Sequence, residues 1–150
     1  MKQRILLFDA VSCTGCLSCV TACSMAHTGA VSPASSRIHI SFDPFENRWP
    51  AVYCRQCTAA PCAKVCPVEA IRLDERQEYW YVDYERCIGC MLCIDACPLG
   101  AMFYDPHHDQ VIKCDTCGGE PACVKVCATQ ALAWGDAADR SLYRKQKGRR

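Results

Sequence analysis

No apolar run in this chain approaches the length of a membrane span, so no membrane-crossing helix is expected. Charge of either sign is nearly balanced, with 17 Lys and Arg against 16 Asp and Glu leaving +1. That balance argues against a nucleic-acid binder, which needs a basic surface for phosphates. There is no P-loop, no G-x-G-x-x-G fingerprint and no Ser or Cys paired with His in a supporting context. Nucleotide-dependent and nucleophilic chemistry therefore lack their parts. Ordinary core residues are also scarce. With the 16 cysteines set aside, the 51% hydrophobic content falls to about 40%, a thin supply for an unaided core. The segment Met1 to Asp9 has one short apolar run and no cleavage site, so it does not read as a signal peptide. The expectation is a cytoplasmic protein whose thiols are reduced rather than bridged.

What the chain has instead is cysteine, about 11% of 150 residues, in four quartets. The most regular is Cys87-Ile88-Gly89-Cys90-Met91-Leu92-Cys93-Ile94-Asp95-Ala96-Cys97-Pro98. Its spacing, C-x2-C-x2-C-x3-C-P, is the bacterial iron–sulfur pattern, in which three thiolates hold one [4Fe–4S] cluster and the fourth reaches another. Three thiolates meeting on one small cube force the chain into a tight loop. Gly89 suits that loop because it tolerates positive φ, and Pro98 fixes the backbone on exit. The first quartet is Cys13, Cys16, Cys19 and Cys23, with Gly15 in the place of Gly89 and Ser24 where a proline is usual. The second is Cys54, Cys57, Cys62 and Cys66, closed by Pro67. The fourth is Cys114, Cys117, Cys123 and Cys127, its gap widened by Gly118 to Ala122 and followed by Ala128.

Zinc, disulfides and plain packing are the competing readings. Structural zinc typically joins two C-x2-C pairs across a finger of a dozen or more residues, whereas here three thiolates fall within seven. That spacing favours a cubane, and a zinc-stapled interaction module stands as the alternative of a different class. Sixteen cysteines saturate four cubanes, leaving no iron with the open position that a catalytic site keeps. The C-x3-C-x2-C spacing of radical-forming enzymes is absent. The chain reads as an electron relay and not an enzyme. Each oxidised cubane with its thiolates carries roughly −2, which would take the loaded chain to roughly −7. His27, His39, His107 and His108 read as ordinary surface or turn residues, and Trp49, Tyr53, Trp80, Tyr81 and Trp134 as cluster shields and sheet packing.

Between quartets, strands are expected over Arg4 to Ala10, Arg37 to Phe42, Ala70 to Leu73, Tyr79 to Tyr84, Ala101 to Tyr104, Gln110 to Lys113 and Ala131 to Trp134. Short helices are expected to begin between the third and fourth cysteines, as at Ile94-Asp95-Ala96. The strand–quartet–strand unit recurs four times as an internal repeat. The basic tail Arg144 to Arg150 is a solvated end or a contact for an acidic partner.

From residue 4 to about 135, these quartets resemble the four-cluster ferredoxin subunits that accompany molybdenum and tungsten oxidoreductases of the dimethyl-sulfoxide-reductase, formate-dehydrogenase and aldehyde-oxidoreductase kinds. The compact length and the segment from Cys13 through Cys23-Ser24-Met25-Ala26-His27-Thr28-Gly29 to Arg37-Ile38 look most like the small ferredoxin subunit of tungsten aldehyde oxidoreductases. The resemblance implies an α+β fold of two nested ferredoxin-like domains. The outer one would take residues 1–50 plus 105–140, the inserted one 51–104, with 141–150 as the tail. It implies four [4Fe–4S] clusters: Cys13, Cys16, Cys19 and Cys127; Cys114, Cys117, Cys123 and Cys23; Cys54, Cys57, Cys62 and Cys97; and Cys87, Cys90, Cys93 and Cys66. It further implies a catalytic tungsten or molybdenum pterin subunit on one side and a flavin subunit handling NAD(H) on the other. Formate dehydrogenase, hydrogenase or carbon monoxide dehydrogenase are alternative clients. A fixed row of clusters with both ends exposed also allows self-association into rings or filaments.

Overall fold

The computed structural model describes residues 3–139; the basic tail lies outside them. Eight short strands are present in it: β1 Arg4–Phe8, β2 Ile38–Ile40, β3 Ala51–Tyr53, β4 Ile71–Asp74, β5 Tyr79–Val82, β6 Phe103–Asp105, β7 Gln110–Ile112 and β8 Leu132–Asp136. They form four two-stranded antiparallel sheets, β1–β8, β2–β3, β4–β5 and β6–β7. Three are local hairpins. The fourth joins the first strand to the last, with Leu6 opposite Trp134 and Phe8 opposite Leu132. Strand β3 extends the β2 hairpin across residue 50, where the sequence showed only an approach to the second quartet.

Four α-helices follow the loops: α1 Ser18–Thr28, α2 Pro61–Lys64, α3 Leu92–Asp95 and α4 Ala122–Lys125. Each begins one residue before the third cysteine, which corrects the expectation that helices start after it. The reason is the loop itself. Leu17, Ala60 and Met91 adopt left-handed φ immediately before α1, α2 and α3 and turn the chain into its first helical turn there. Helix α1 runs 11 residues, past its fourth cysteine, and ends at Gly29 in a left-handed cap whose N–H bonds Met25 O at 3.0 Å. Ser24 permits that continuation where proline would oppose it.

Two separate cores hold the fold. One gathers Leu6, Val20, Ile38, Tyr53 and Leu132 with Cys19, Cys23, Cys114 and Cys123. The other gathers Ile71, Val82, Met102 and Val111 with Cys62 and Cys93. Cysteine is thus a core residue in both.

Candidate metal centres

The four loops share one backbone device. The residue before the second cysteine is left-handed in every quartet: Gly15 (φ 69°), Gln56 (52°), Gly89 (69°) and Thr116 (59°). That turn folds the first and second cysteines back toward the third, which sits in second position on the following helix. The fourth cysteine is treated just as uniformly. Cys66 Sγ accepts the N–H of Ala70 at 3.2 Å, Cys97 that of Ala101 at 3.3 Å, and Cys127 that of Leu132 at 3.4 Å. Cys23 lies inside α1 and has no such local turn, so Arg37 supplies its N–H at 3.3 Å from a distant segment.

These devices bring cysteines of different quartets together. One cavity is lined by Cys13, Cys16, Cys19 and Cys127 with Phe8, Leu17, Ile40 and Leu132. A second is lined by Cys87, Cys90, Cys93 and Cys66 with Ile71, Val82, Met91 and Val111. A third is lined by Cys54, Cys57, Cys62 and Cys97 with Trp80, Met102, Leu99 and Lys113. Their free volumes, open mouths included, are about 330, 320 and 360 Å³. Cys23, Cys114 and Cys123 share the first core, and Cys117 joins them beside Cys123 and His27. Cys16 and Cys90 are exposed, and Cys19, Cys23, Cys62, Cys93, Cys114 and Cys123 are buried.

Four thiols around a mainly apolar cavity, with no carboxylate on its wall, are a soft donor set that fits thiophilic metal, Fe–S clusters or zinc. Burial makes the bare thiols reluctant to ionise. It pushes Cys19 and Cys93 up to about 11 and Cys123 up to about 12, with neighbouring thiols adding to the effect. A bound cationic metal is what turns such thiols into thiolates.

One of the histidines departs from the surface role expected of all four. His27 is largely buried, its Nε2 3.1 Å from Asp115 Oδ1 and its Nδ1 2.8 Å from Cys23 O. Burial works against its charge, but Asp115, Cys117 and Cys23 outweigh this and push it up to about 12. Asp115 is held well below the usual carboxylate range, against its burial, by His27 and by the Arg37 guanidinium that pairs with it. The donor atoms of His27, Asp115 and Cys117 lie within 4.8 Å of one another. The sequence read His27 as an ordinary surface or turn residue and gave no sign that Asp115 and Arg37 would close around it. His39 instead stacks on Phe103, ring centroids 3.9 Å apart.

The caged cysteines and the family they match define a small iron–sulfur electron-transfer protein with multiple 4Fe–4S clusters. Residues 46–137 match the 4Fe-4S dicluster domain family and residues 12–26 a 4Fe-4S binding domain. The chain belongs to the 4Fe-4S dicluster domain family. It is 42% identical over 143 residues to the putative electron transport protein YsaA of Escherichia coli, covering 87% of this chain and 88% of that protein. It is 36% identical to the polyferredoxin-like subunit of the aliphatic sulfonate oxidoreductase of Pyrococcus furiosus, covering 85% and 73%. Among solved structures it is similar to the active site complex BamBC of benzoyl coenzyme A reductase with 1,5-dienoyl-CoA. The identity there is 26%, coverage 89% of this chain and 76% of that one, and TM-score 0.54.

Proposed function

We propose that the chain is a non-catalytic relay subunit carrying four [4Fe–4S] clusters, one per mixed set of four cysteines. A 4Fe–4S cluster takes up and gives away single electrons; the protein's part is to hold it, shield it and aim it. The observation that carries the reading is that each of three cavities is lined by three cysteines of one quartet and the fourth of another. In the proposed arrangement Cys127 completes the first set, Cys97 the second quartet's set, Cys66 the third's and Cys23 the fourth's. This pairing makes residues 51–104 an inserted unit within an outer one. Supporting it, the buried cysteines of the two cores divide in that sense, and β1, the first strand, pairs with β8, the last.

Cys16 and Cys90, the exposed ligands, belong to different sets and mark the two ends where electrons enter and leave. Exposed Leu17 beside one, and Ile88, Met91 and Leu92 beside the other, offer apolar docking surface. A pterin oxidoreductase of the tungsten aldehyde type would dock at one end and a flavin subunit linked to NAD(H) at the other, in the cytoplasm. Support for a catalytic partner comes from the Pyrococcus relative's name as an oxidoreductase subunit and from the likeness to BamBC. Among the described residues no helix is long and apolar enough to cross a membrane.

Electron paramagnetic resonance on reduced variants tests the pairing. Cys23→Ala and Cys117→Ala should disturb one common signal, and Cys16→Ala a different one. Should Cys23→Ala and Cys16→Ala alter the same signal, each quartet closes on itself and the nested arrangement fails.

A further inference from the structure

Lys113 is a buried cation with no anionic partner among the described residues. It follows β7 and immediately precedes Cys114, and its side chain is 1% exposed. Its ammonium donates to the carbonyl of Trp80, which satisfies one of its three donors. None of the ion pairs among the described residues involves it. An ammonium taken out of water in this way is costly unless an opposite charge meets it.

The side chain lines the cavity of Cys54, Cys57, Cys62 and Cys97. Burial pushes the Cys62 thiol up, and the Lys113 charge beside it pulls the other way. The missing anion is therefore expected inside the cavity. Arg55 also borders it, with its guanidinium over the Tyr53 ring at 4.4 Å. The cavities of Cys13, Cys16, Cys19, Cys127 and of Cys66, Cys87, Cys90, Cys93 have neither Lys nor Arg on their walls. The residue that accepts from the ammonium is itself anchored. Trp80 N–H donates to Gln56 Oε1 at 2.7 Å, and Gln56 Nε2 donates to Cys114 O at 2.7 Å. Gln56 N–H in turn reaches Cys54 Sγ at 3.4 Å. This polar chain ties the loop of the second quartet to that of the fourth, beside Trp80, whose carbonyl accepts from Lys113.

We propose that Lys113 is the fixed counter-cation of the centre held by Cys54, Cys57, Cys62 and Cys97, and raises its reduction potential above that of the centre at Cys87, Cys90, Cys93 and Cys66. The inference rests on the relay reading given above. Net charge around a cluster is among the terms that set its potential, and reduction adds one negative charge to the site. A positive charge on the cavity wall favours that reduced form. Of these two centres, the one beside Lys113 is then where an electron rests.

Anaerobic redox titration with dithionite, followed by electron paramagnetic resonance, tests this on the full-length loaded protein. The centre's signal is assigned by its alteration in Cys57→Ser. Lys113→Gln and Lys113→Met should lower its midpoint at least tenfold in the one-electron equilibrium constant, 59 mV, with iron content unchanged. Lys113→Arg should stay near wild type. Lys113→Gln with full iron and the wild-type midpoint overturns the proposal, because glutamine keeps a donor for Trp80 and removes only the charge. If both neutral variants lose iron at this centre, Lys113→Arg decides. Retained iron at the wild-type midpoint supports a requirement for charge, and iron loss in arginine as well overturns it in favour of packing. A wild-type protein lacking a cubane signal assignable to Cys57 would sink the relay reading itself, an outcome distinct from all of these.

Discussion

At the residue scale, the site is built from backbone conformations that L-residues avoid. Gly15 and Gly89 both sit at φ 69°, where a Cβ costs roughly 1–2 kcal/mol. Their surroundings differ. A Cβ on Gly89 meets nothing within 4 Å, whereas on Gly15 it would lie 2.3 Å from the Trp49 ring. Gly89→Ala should therefore lose only the conformational cost. Gly15→Ala should lose a further 1–3 kcal/mol, of the size seen for overpacking. Anaerobic thermal unfolding ranks the two, and equal losses would show that Trp49 gives way freely. Gln56 and Thr116 accept the same left-handed strain without glycine, both nearly fully buried. Gln56 compensates with hydrogen bonds to Trp80 and Cys114.

At the scale of elements, one helix departs from its three counterparts. Helices α2, α3 and α4 stop after four residues, and α1 carries on through Ser24 to Thr28. Ser24 is fully buried. Its hydroxyl donates to Thr21 O at 3.0 Å and accepts the Ser32 N–H at 3.2 Å, which fixes the segment returning from the helix. Proline there would remove a helical hydrogen bond and clash with the preceding turn, costing about 3 kcal/mol or more. Ser24→Pro should lower the unfolding temperature and weaken the helical circular dichroism signal. Pro98→Ser, after a helix that has already ended at Asp95, should change both little. If Ser24→Pro is as mild as Pro98→Ser, the length of α1 does not matter to the fold.

At the scale of the whole molecule, four two-stranded sheets are too small to persist alone, and both cores count cysteines among their members. Metal binding and folding are then one process, since the thiol sets exist only in the folded chain. Stripping iron anaerobically with a chelator should abolish strand and helix signals together, and iron with sulfide should restore them. A metal-free protein that keeps its full circular dichroism would show that the aliphatic cores suffice. The restored protein should hold about sixteen iron and sixteen sulfide per chain, four of each per cubane. About eight of each in a fully folded chain would mean that half of the thiol sets hold something else.

The sequence alone determined the cysteine quartets, the four-fold repeat and the short strands, because cluster binding demands fixed local spacing and that spacing is written in consecutive residues. A further local signal was there to be read: Glu69-Ala70-Ile71, Gly100-Ala101-Met102 and Gln130-Ala131-Leu132 stand at equal distances after three fourth cysteines. Each has a left-handed first residue and a buried alanine. Only the tertiary structure decided that His27 turns inward to Asp115 and Arg37, and that Lys113 enters the cavity of a quartet some fifty residues away. Those contacts join segments far apart in the chain. Burial and charge pairing select them only once both cores have closed, and no local pattern of residue types encodes them.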